Sequence, residues 1–288
     1  ANPIVYQAAT PIFIDSELDT WNMSPEFLKL AIKDRIEKGK KPKAIILVHL
    51  YGMPAKMNEI LEIANKYEIP IIEDAAEGLG STYFGKPLGS LSQMGIYSFN
   101  GNKIITTSGG GALISSDEKQ IQKAKFLATQ ARDEAPHYEH SEIGFNYRLS
   151  NVSAAIGLGQ LEVLNERVEK RRSIFEFYKT ELSDINEISF VEEPEGFFSN
   201  RWLTTILISE DSRISKEELR LFLENDNIES RPVWKPMHMQ PIFKVYPAYG
   251  GDNSEYLFKY GLCLPSGSNL SDKDLSRIAN KIKQAFEK

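Results

Sequence analysis

Three apolar runs and one amphipathic stretch limit the folds open to this chain. Ala44 to Val48 is continuously apolar, Met57, Ile60, Leu61 and Ala64 recur at helical spacing, and Ile69 to Ile72 forms a second short run. A strand, a helix and a strand at this spacing make a right-handed crossover, which requires a parallel sheet. The unbroken Ala44–Val48 run predicts a strand buried on both faces. Gly95 to Phe99 predicts a third buried strand, and Gly111 to Ser115 a further strand after it. Open sheets of this kind bind ligands beyond the carboxyl ends of their strands. Asp74 and His49 both stand at that edge, where His49 reads as a hydrogen-bonded loop histidine.

The Gly95–Phe99 run ends in Asn100-Gly101-Asn102, a turn signal that supplies positive φ, and Lys103 follows at once. Gly109-Gly110-Gly111 closes the segment. Taking a lysine out of water disfavours its charged form and frees an amine nucleophile. A surface lysine in a hairpin is the plainer reading of this stretch alone. Asp74 at the end of a neighbouring strand shifts the balance, because pyridoxal phosphate needs this pair. An amine holds its aldehyde, and a carboxylate keeps its pyridine nitrogen protonated. Ser98 is placed to donate a hydrogen bond to a phosphate.

Glu73-Asp74-Ala75-Ala76-Glu77, followed by Ser98-Phe99-Asn100-Gly101-Asn102-Lys103, resembles the DegT/DnrJ/EryC1/StrS sugar aminotransferases, which have the aspartate aminotransferase fold (fold type I). Gly144-Phe145-Asn146-Tyr147-Arg148 matches that family's Gly-aromatic-Asn-Tyr-Arg signature, and Arg231-Pro232 with His238 resembles its Arg-Pro…His segment. Most members carry His or Gln where Glu77 stands, and His-Pro in place of Asn100-Gly101. The Asn-Gly-Asn-Lys version with Ser108-Gly109-Gly110-Gly111 is most like the branch acting on UDP-4-keto-6-deoxy-N-acetylglucosamine in bacillosamine synthesis.

The resemblance implies an α/β fold in two parts. Residues 1–165 form a large cofactor-binding domain with a mostly parallel sheet, and residues 166–288 form a smaller α+β domain. The family's first helix and its strand-loop-helix unit have no counterpart here, so the large domain is expected to lack its first elements. The implied reaction moves the amino group of L-glutamate to C4 of a UDP-keto-sugar. Lys103 and Asp74 are its catalytic residues, and Lys103, Asp74, Glu77, Ser98, Asn100 and Asn146 hold the cofactor. Asn146 reaches across a homodimer to the other subunit's cofactor phosphate. Arg148 shapes the same pocket, Arg231 pairs with the nucleotide diphosphate, and His238 faces the sugar. The related sugar 3-dehydratases have histidine at the position of Lys103. Three alternatives stay open: another nucleotide keto-sugar as substrate, a lysine Schiff-base enzyme without pyridoxal phosphate, and a non-catalytic fragment that keeps the fold.

Composition excludes other classes. The 288 residues are 41% apolar with no run as long as a membrane span, and the net charge of −6 gives no basic footprint for nucleic acid. No signal-peptide pattern is present. Cys263 is the one cysteine and reads as core, which fits a reducing cytoplasm. His137 and His140 have no second cluster of ligands, so no metal is expected. Glu166 to Arg172 reads as a charged helix with a solvated face, and Ser24, Ser150, Ser215 and Ser271 read as helix caps.

Overall fold

In the computed structural model, which describes residues 1–287, a short helix α1 (Asn2–Tyr6) and strand β1 (Phe13–Ile14) precede helix α2 (Pro25–Glu37). Ser24 caps α2 by accepting the Phe27 N–H, and Pro25 fills the first turn, where an amide hydrogen has no partner to lose. Then come β2 (Ile45–Val48), α3 (Met57–Lys66), β3 (Ile71–Asp74), the hairpin of β4 (Thr82–Tyr83) and β5 (Lys86–Pro87), β6 (Met94–Ser98) and β7 (Gly111–Ile114). The sheet order is β2–β3–β6–β7. The first three strands run parallel, as the crossover pattern requires, and β7 is antiparallel to β6.

Helices α2 and α3 cover one face of this sheet through Leu28, Ile32, Ile45, Leu47, Met57, Ile60 and Ile71. The expectation that Ala44–Val48 is buried on both faces is not met. Ile45 and Leu47 are buried, but Ile46 and Val48 are each 38% exposed. Successive strand side chains alternate between faces, and the helices reach only one of them.

The second half begins with α4 (Glu118–Ala128), capped by Asp117, and continues to α5 (Asn151–Glu162), capped by Ser150, and α6 (Leu164–Glu181). There follow β8 (Ile188–Phe190), β9 (Phe197–Phe198), β10 (Thr204–Ile208), α7 (Lys216–Glu224), β11 (Arg231–Pro232), β12 (Ala248–Tyr249), α8 (Asp252–Tyr260), β13 (Gly261–Leu264) and α9 (Asp272–Glu287). An antiparallel sheet in the order β11–β13–β10–β8 packs against α6, α7 and α9 through Ile174, Tyr178, Ile206, Leu219, Leu262 and Ile278. Both arms of the Ser215–Glu218 capping box are formed. Cys263 is free and buried.

The charged helix α6 departs from the expected solvated face at Arg171, which is buried with Val168, Ile174, Phe175 and Tyr178. Charge alone does not report burial when a guanidinium finds a carbonyl inside, and Arg171 donates to the Trp202 carbonyl at 2.6 Å. The two halves also interlock. Strand β9 adds to the β4–β5 hairpin, and β12 pairs with β1. Asp15 caps α8 from across the chain by accepting the Asn253 and Ser254 N–H groups at 3.1 and 2.9 Å.

His49 is the hydrogen-bonded loop residue expected from the sequence. Its Nδ1 accepts the Ala55 N–H at 3.1 Å, which leaves the ring proton on Nε2 to donate to Glu73 at 3.1 Å. Glu73 is fully buried and also accepts the N–H groups of Gly89, Leu91 and Ser92, each at 2.7 Å. Burial pushes its carboxyl up, but His49, Gly89 and Ser92 outweigh that and hold it below the usual range. This carboxylate pins the turn that leads into β6. The variant Glu73→Gln, which offers an N–H₂ group to these donors, is expected to lose about 3 kcal/mol in urea unfolding at neutral pH. A depressed folded-state value means stabilisation that disappears as pH falls, so the gap to the parent closes in acid. Equal unfolding curves at neutral pH contradict this role for Glu73.

Candidate active site

Parallel pairing fixes where the acid and the lysine loop meet. Asp74, the last residue of β3, is in register with Ile96 of β6, and β6 ends two residues later at Ser98. The loop that follows closes on itself. Phe99 N–H donates to the Gly110 carbonyl and Thr107 N–H to the Phe99 carbonyl, both at 2.9 Å, and Lys103 N–H donates to the Asn100 carbonyl at 3.1 Å. Gly110 has φ +92°, and a Cβ there would lie 2.4 Å from Leu149 Cδ1, so only glycine fits. On the other side, α5 presses Gly157 against Thr107, where an added Cβ would sit 2.9 Å from Cγ2.

Within this frame Lys103 is 12% exposed, and its Nζ lies 3.6 Å from Glu77 Oε1. The same nitrogen sits 4.4 Å from the centroid of the Trp202 ring. Glu77 is buried and accepts the Tyr51 N–H at 2.6 Å. Burial drives the Glu77 carboxyl up to about 7; the Lys103 ammonium and the Tyr51 N–H pull it back, and the Asp74 carboxylate adds to the rise. The Asp74 carboxylate accepts only the Ala76 N–H, at 3.2 Å from Oδ1, among the described residues.

A polar network holds this centre from behind. Tyr51 has φ 55° and Gly52 φ 86°, and a Cβ on Gly52 would lie 1.9 Å from Asn200 Oδ1. Asn200 is fully buried. Its side-chain N–H₂ donates to the Glu77 and Leu79 carbonyls at 2.7 and 2.8 Å, and its Oδ1 accepts the Trp202 N–H at 2.8 Å. Tyr51 and Trp202 stack with ring centroids 6.4 Å apart, and Trp234 meets both edge-on. Tyr51, Asn200 and Trp202 were not legible as site residues. Tyr51 is a loop residue and Trp202 the start of a strand in the sequence pattern, and no spacing links Asn200 to Glu77 across 123 positions.

The structure places Lys103 beside Glu77, with Asp74 near enough to Glu77 to raise its carboxyl, and distributes the other expected residues elsewhere. Ser98 is half-buried, and its Oγ accepts the Asn100 N–H at 3.4 Å, while Asn100 itself is exposed. Asn146 and Arg148 are exposed, in a segment whose Leu149 packs on Gly110 of the lysine loop. Arg231 is exposed and paired with Glu229 at 2.5 Å, and His238 pairs with Glu255 at 2.9 Å, so neither ion pair involves the lysine centre. The segment between them does reach it, because Trp234 N–H donates to the Tyr51 hydroxyl at 2.9 Å.

The donor set suits pyridoxal phosphate. It offers one shielded amine and a carboxylate with free lone pairs at the ends of adjacent parallel strands. Among the described residues no group of three or more His, Cys, Asp or Glu is arranged to hold a metal, and no helix is long and apolar enough to cross a membrane.

Residues 1–283 match the model of the DegT/DnrJ/EryC1/StrS aminotransferase family. The chain is 52% identical over 290 residues to EpsN of Bacillus subtilis (strain 168), a protein assigned to the pyridoxal phosphate-dependent aminotransferases; the match covers 99% of this chain and 74% of EpsN. It is 35% identical over 286 residues to GDP-perosamine synthase of Escherichia coli O157:H7, covering 99% and 75% of the two chains. It is 32% identical over 295 residues to the UDP-4-amino-4,6-dideoxy-N-acetyl-beta-L-altrosamine transaminase of Campylobacter jejuni subsp. jejuni serotype O:23/36 (strain 81-176), covering 100% and 76%. The crystal structure of a DegT DnrJ EryC1 StrS aminotransferase from Brucella abortus superposes with a TM-score of 0.91 at 31% identity, over 100% of this chain and 76% of that one.

The raised Glu77 carboxyl has a measurable consequence. An acid whose folded-state value lies above its unfolded one stabilises the fold fully below the unfolded value, and that stabilisation is lost as pH rises through the folded one. The parent is therefore expected to lose about 3 kcal/mol relative to Glu77→Gln between pH 4.5 and about 7, measured by urea unfolding across that window. A parent-to-variant difference that stays constant with pH contradicts the buried, proton-holding Glu77.

Proposed function

The chain belongs to the DegT/DnrJ/EryC1/StrS aminotransferase family, a pyridoxal phosphate-dependent family of fold type I, and from that premise we propose that it moves the amino group of L-glutamate to C4 of a UDP-4-keto-6-deoxy-N-acetylhexosamine. The observation that carries this reading is the shielded Lys103 beside Glu77, with Asp74 at the end of the adjacent parallel strand. When bound, the cofactor supplies an electron sink for the carbanion formed at the amino-bearing carbon. Lys103 Nζ would anchor it, and the free Lys103 amine would take the proton from the glutamate α-carbon. In the second half-reaction the same nitrogen delivers a proton to C4 of the sugar. Asp74 holds the proton of the ring nitrogen. Glu77 braces the ring and keeps Lys103 near. Ser98 and Asn100 donate to the phosphate, Arg231 pairs with the diphosphate, His238 bonds the sugar, and Arg148 shapes the pocket.

A homodimer with shared sites is part of the same proposal. Helix α5 exposes Val152, Ile156, Leu158 and Leu161, and the preceding segment exposes Ile143 and Tyr147. Exposed apolar side chains gathered along one segment suit a protein partner, and Asn146, between Ile143 and Tyr147, is the residue that would reach a second copy's cofactor phosphate. The division at residue 165 also belongs here, supported by the separate cores beneath the two four-stranded sheets. A cytoplasmic setting is supported by the free thiol of Cys263. The UDP-sugar, with its place in bacillosamine synthesis, is supported by the sequence pattern around Lys103 and by the likeness to the altrosamine transaminase. A GDP-linked keto-sugar is the second reading, supported by the likeness to GDP-perosamine synthase.

Incubation with pyridoxal phosphate, L-glutamate and either the UDP- or the GDP-linked 4-keto-sugar tests the reading, with the product resolved by NMR. An amine at C4 of the UDP sugar is expected, and Lys103→Ala and Asp74→Asn are expected to lower the rate by about 10²–10⁴-fold. Amination of the GDP sugar alone replaces the substrate, and full activity in Lys103→Ala contradicts the mechanism.

A further inference from the structure

Trp202 is held on every polar atom it has. Its N–H bonds Asn200 Oδ1 at 2.8 Å, its carbonyl accepts Arg171 at 2.6 Å, and its indole N–H donates to the Asn102 carbonyl at 2.9 Å. The side chain is 2% exposed, stacked by Tyr51 on one side and met edge-on by Trp234. The cost of this grip is visible in Arg171, a buried guanidinium whose Nε has no hydrogen-bond partner among the described residues. Isolated buried charges are expensive, and this one serves a single carbonyl.

All of these contacts converge on the lysine. Asn102 immediately precedes Lys103, so the indole hydrogen bond fixes the peptide from which the lysine side chain departs. The Lys103 ammonium sits 4.4 Å from the ring centroid, within reach of the electron-rich face. Glu77 approaches the same nitrogen at 3.6 Å. Asn200 links the two supports, because it bonds both the Trp202 N–H and the Glu77 carbonyl.

We propose that Trp202 is a positioning residue for Lys103: its indole N–H sets the turn, and its ring face parks the ammonium between covalent engagements. The proposal rests on Lys103 being the cofactor-binding amine. It makes Trp202, contributed by the distant second half of the chain, a condition for fast capture of the cofactor. In capture the ammonium first gives a proton to solvent, the amine nitrogen then bonds the aldehyde carbon, and the aldehyde oxygen leaves as water with the two remaining amine hydrogens. Phenylalanine at this position keeps a ring face and loses the N–H, and leucine loses both.

Two measurements test it. In the cofactor-free parent, NMR of the Lys103 side-chain methylenes is expected to show an upfield ring-current displacement that shrinks in Trp202→Phe and vanishes in Trp202→Leu. Capture of pyridoxal phosphate, followed by absorbance in stopped flow, is expected to slow in the order Trp, Phe, Leu, with Trp202→Phe about tenfold below the parent while its melting temperature stays close to the parent's. A parent without the displacement overturns the proposal whether or not the variants fold. So does Trp202→Phe capturing at the parent's rate. A parent that shows the displacement but captures nothing on Lys103 upholds the positioning geometry and refutes the function proposed above.

Discussion

One carboxyl group and one amine are taken out of water together, and much of the centre follows from making that tolerable. Polar groups persist in a protein interior only when their hydrogen-bonding capacity is met. The Tyr51 N–H meets part of it for Glu77, which places Tyr51 in the left-handed region at φ 55° and puts glycine next in line. Gly52 then allows Asn200 to approach so closely that no side chain could stand there. Asn200 in turn holds the backbone of Glu77 and Trp202. Local strain, a required glycine and a contact across 123 positions thus trace back to the burial of Glu77 beside Lys103.

The centre is built by both halves of the chain. Asp74 and Lys103 come from the parallel sheet, whereas Asn200 and Trp202 precede β10 of the antiparallel one. The pairing of β9 with β4, the pairing of β12 with β1, and the capping of α8 by Asp15 hold those halves in place. A lysine whose surroundings come from two sheets is positioned by the whole fold, not by its own loop. This also gives a role to a costly group such as Arg171, which holds the Trp202 carbonyl.

The parallel strands, the helix between them, the lysine turn and the caps at Ser24, Ser150 and Ser215 were all legible, because each rests on local spacing or local backbone chemistry. The expectation that Asp74 and Lys103 work together rests on the crossover, which puts the ends of β3 and β6 side by side, whereas the carboxyl nearest the Lys103 nitrogen is that of Glu77. What escaped the sequence depends on distant partners. Strands as short as Phe197–Phe198 and Ala248–Tyr249 carry no periodicity. Arg171 is buried in a run of charges that reads as solvated, and its carbonyl partner lies 31 residues away. The Ala44–Val48 run reads as buried on both faces, because apolar content does not say how many faces a neighbour covers. The raised Glu77 carboxyl could not be foreseen either, because it comes from burial behind Tyr51 and Asn200.

The central claim is that Lys103 is the amine that carries the cofactor. The most direct test is borohydride reduction of the chain after incubation with pyridoxal phosphate, followed by peptide mass mapping. A single reduced adduct on Lys103, absent from Lys103→Ala, is the expected result. An adduct on another lysine, or an equal yield in Lys103→Ala, contradicts the claim.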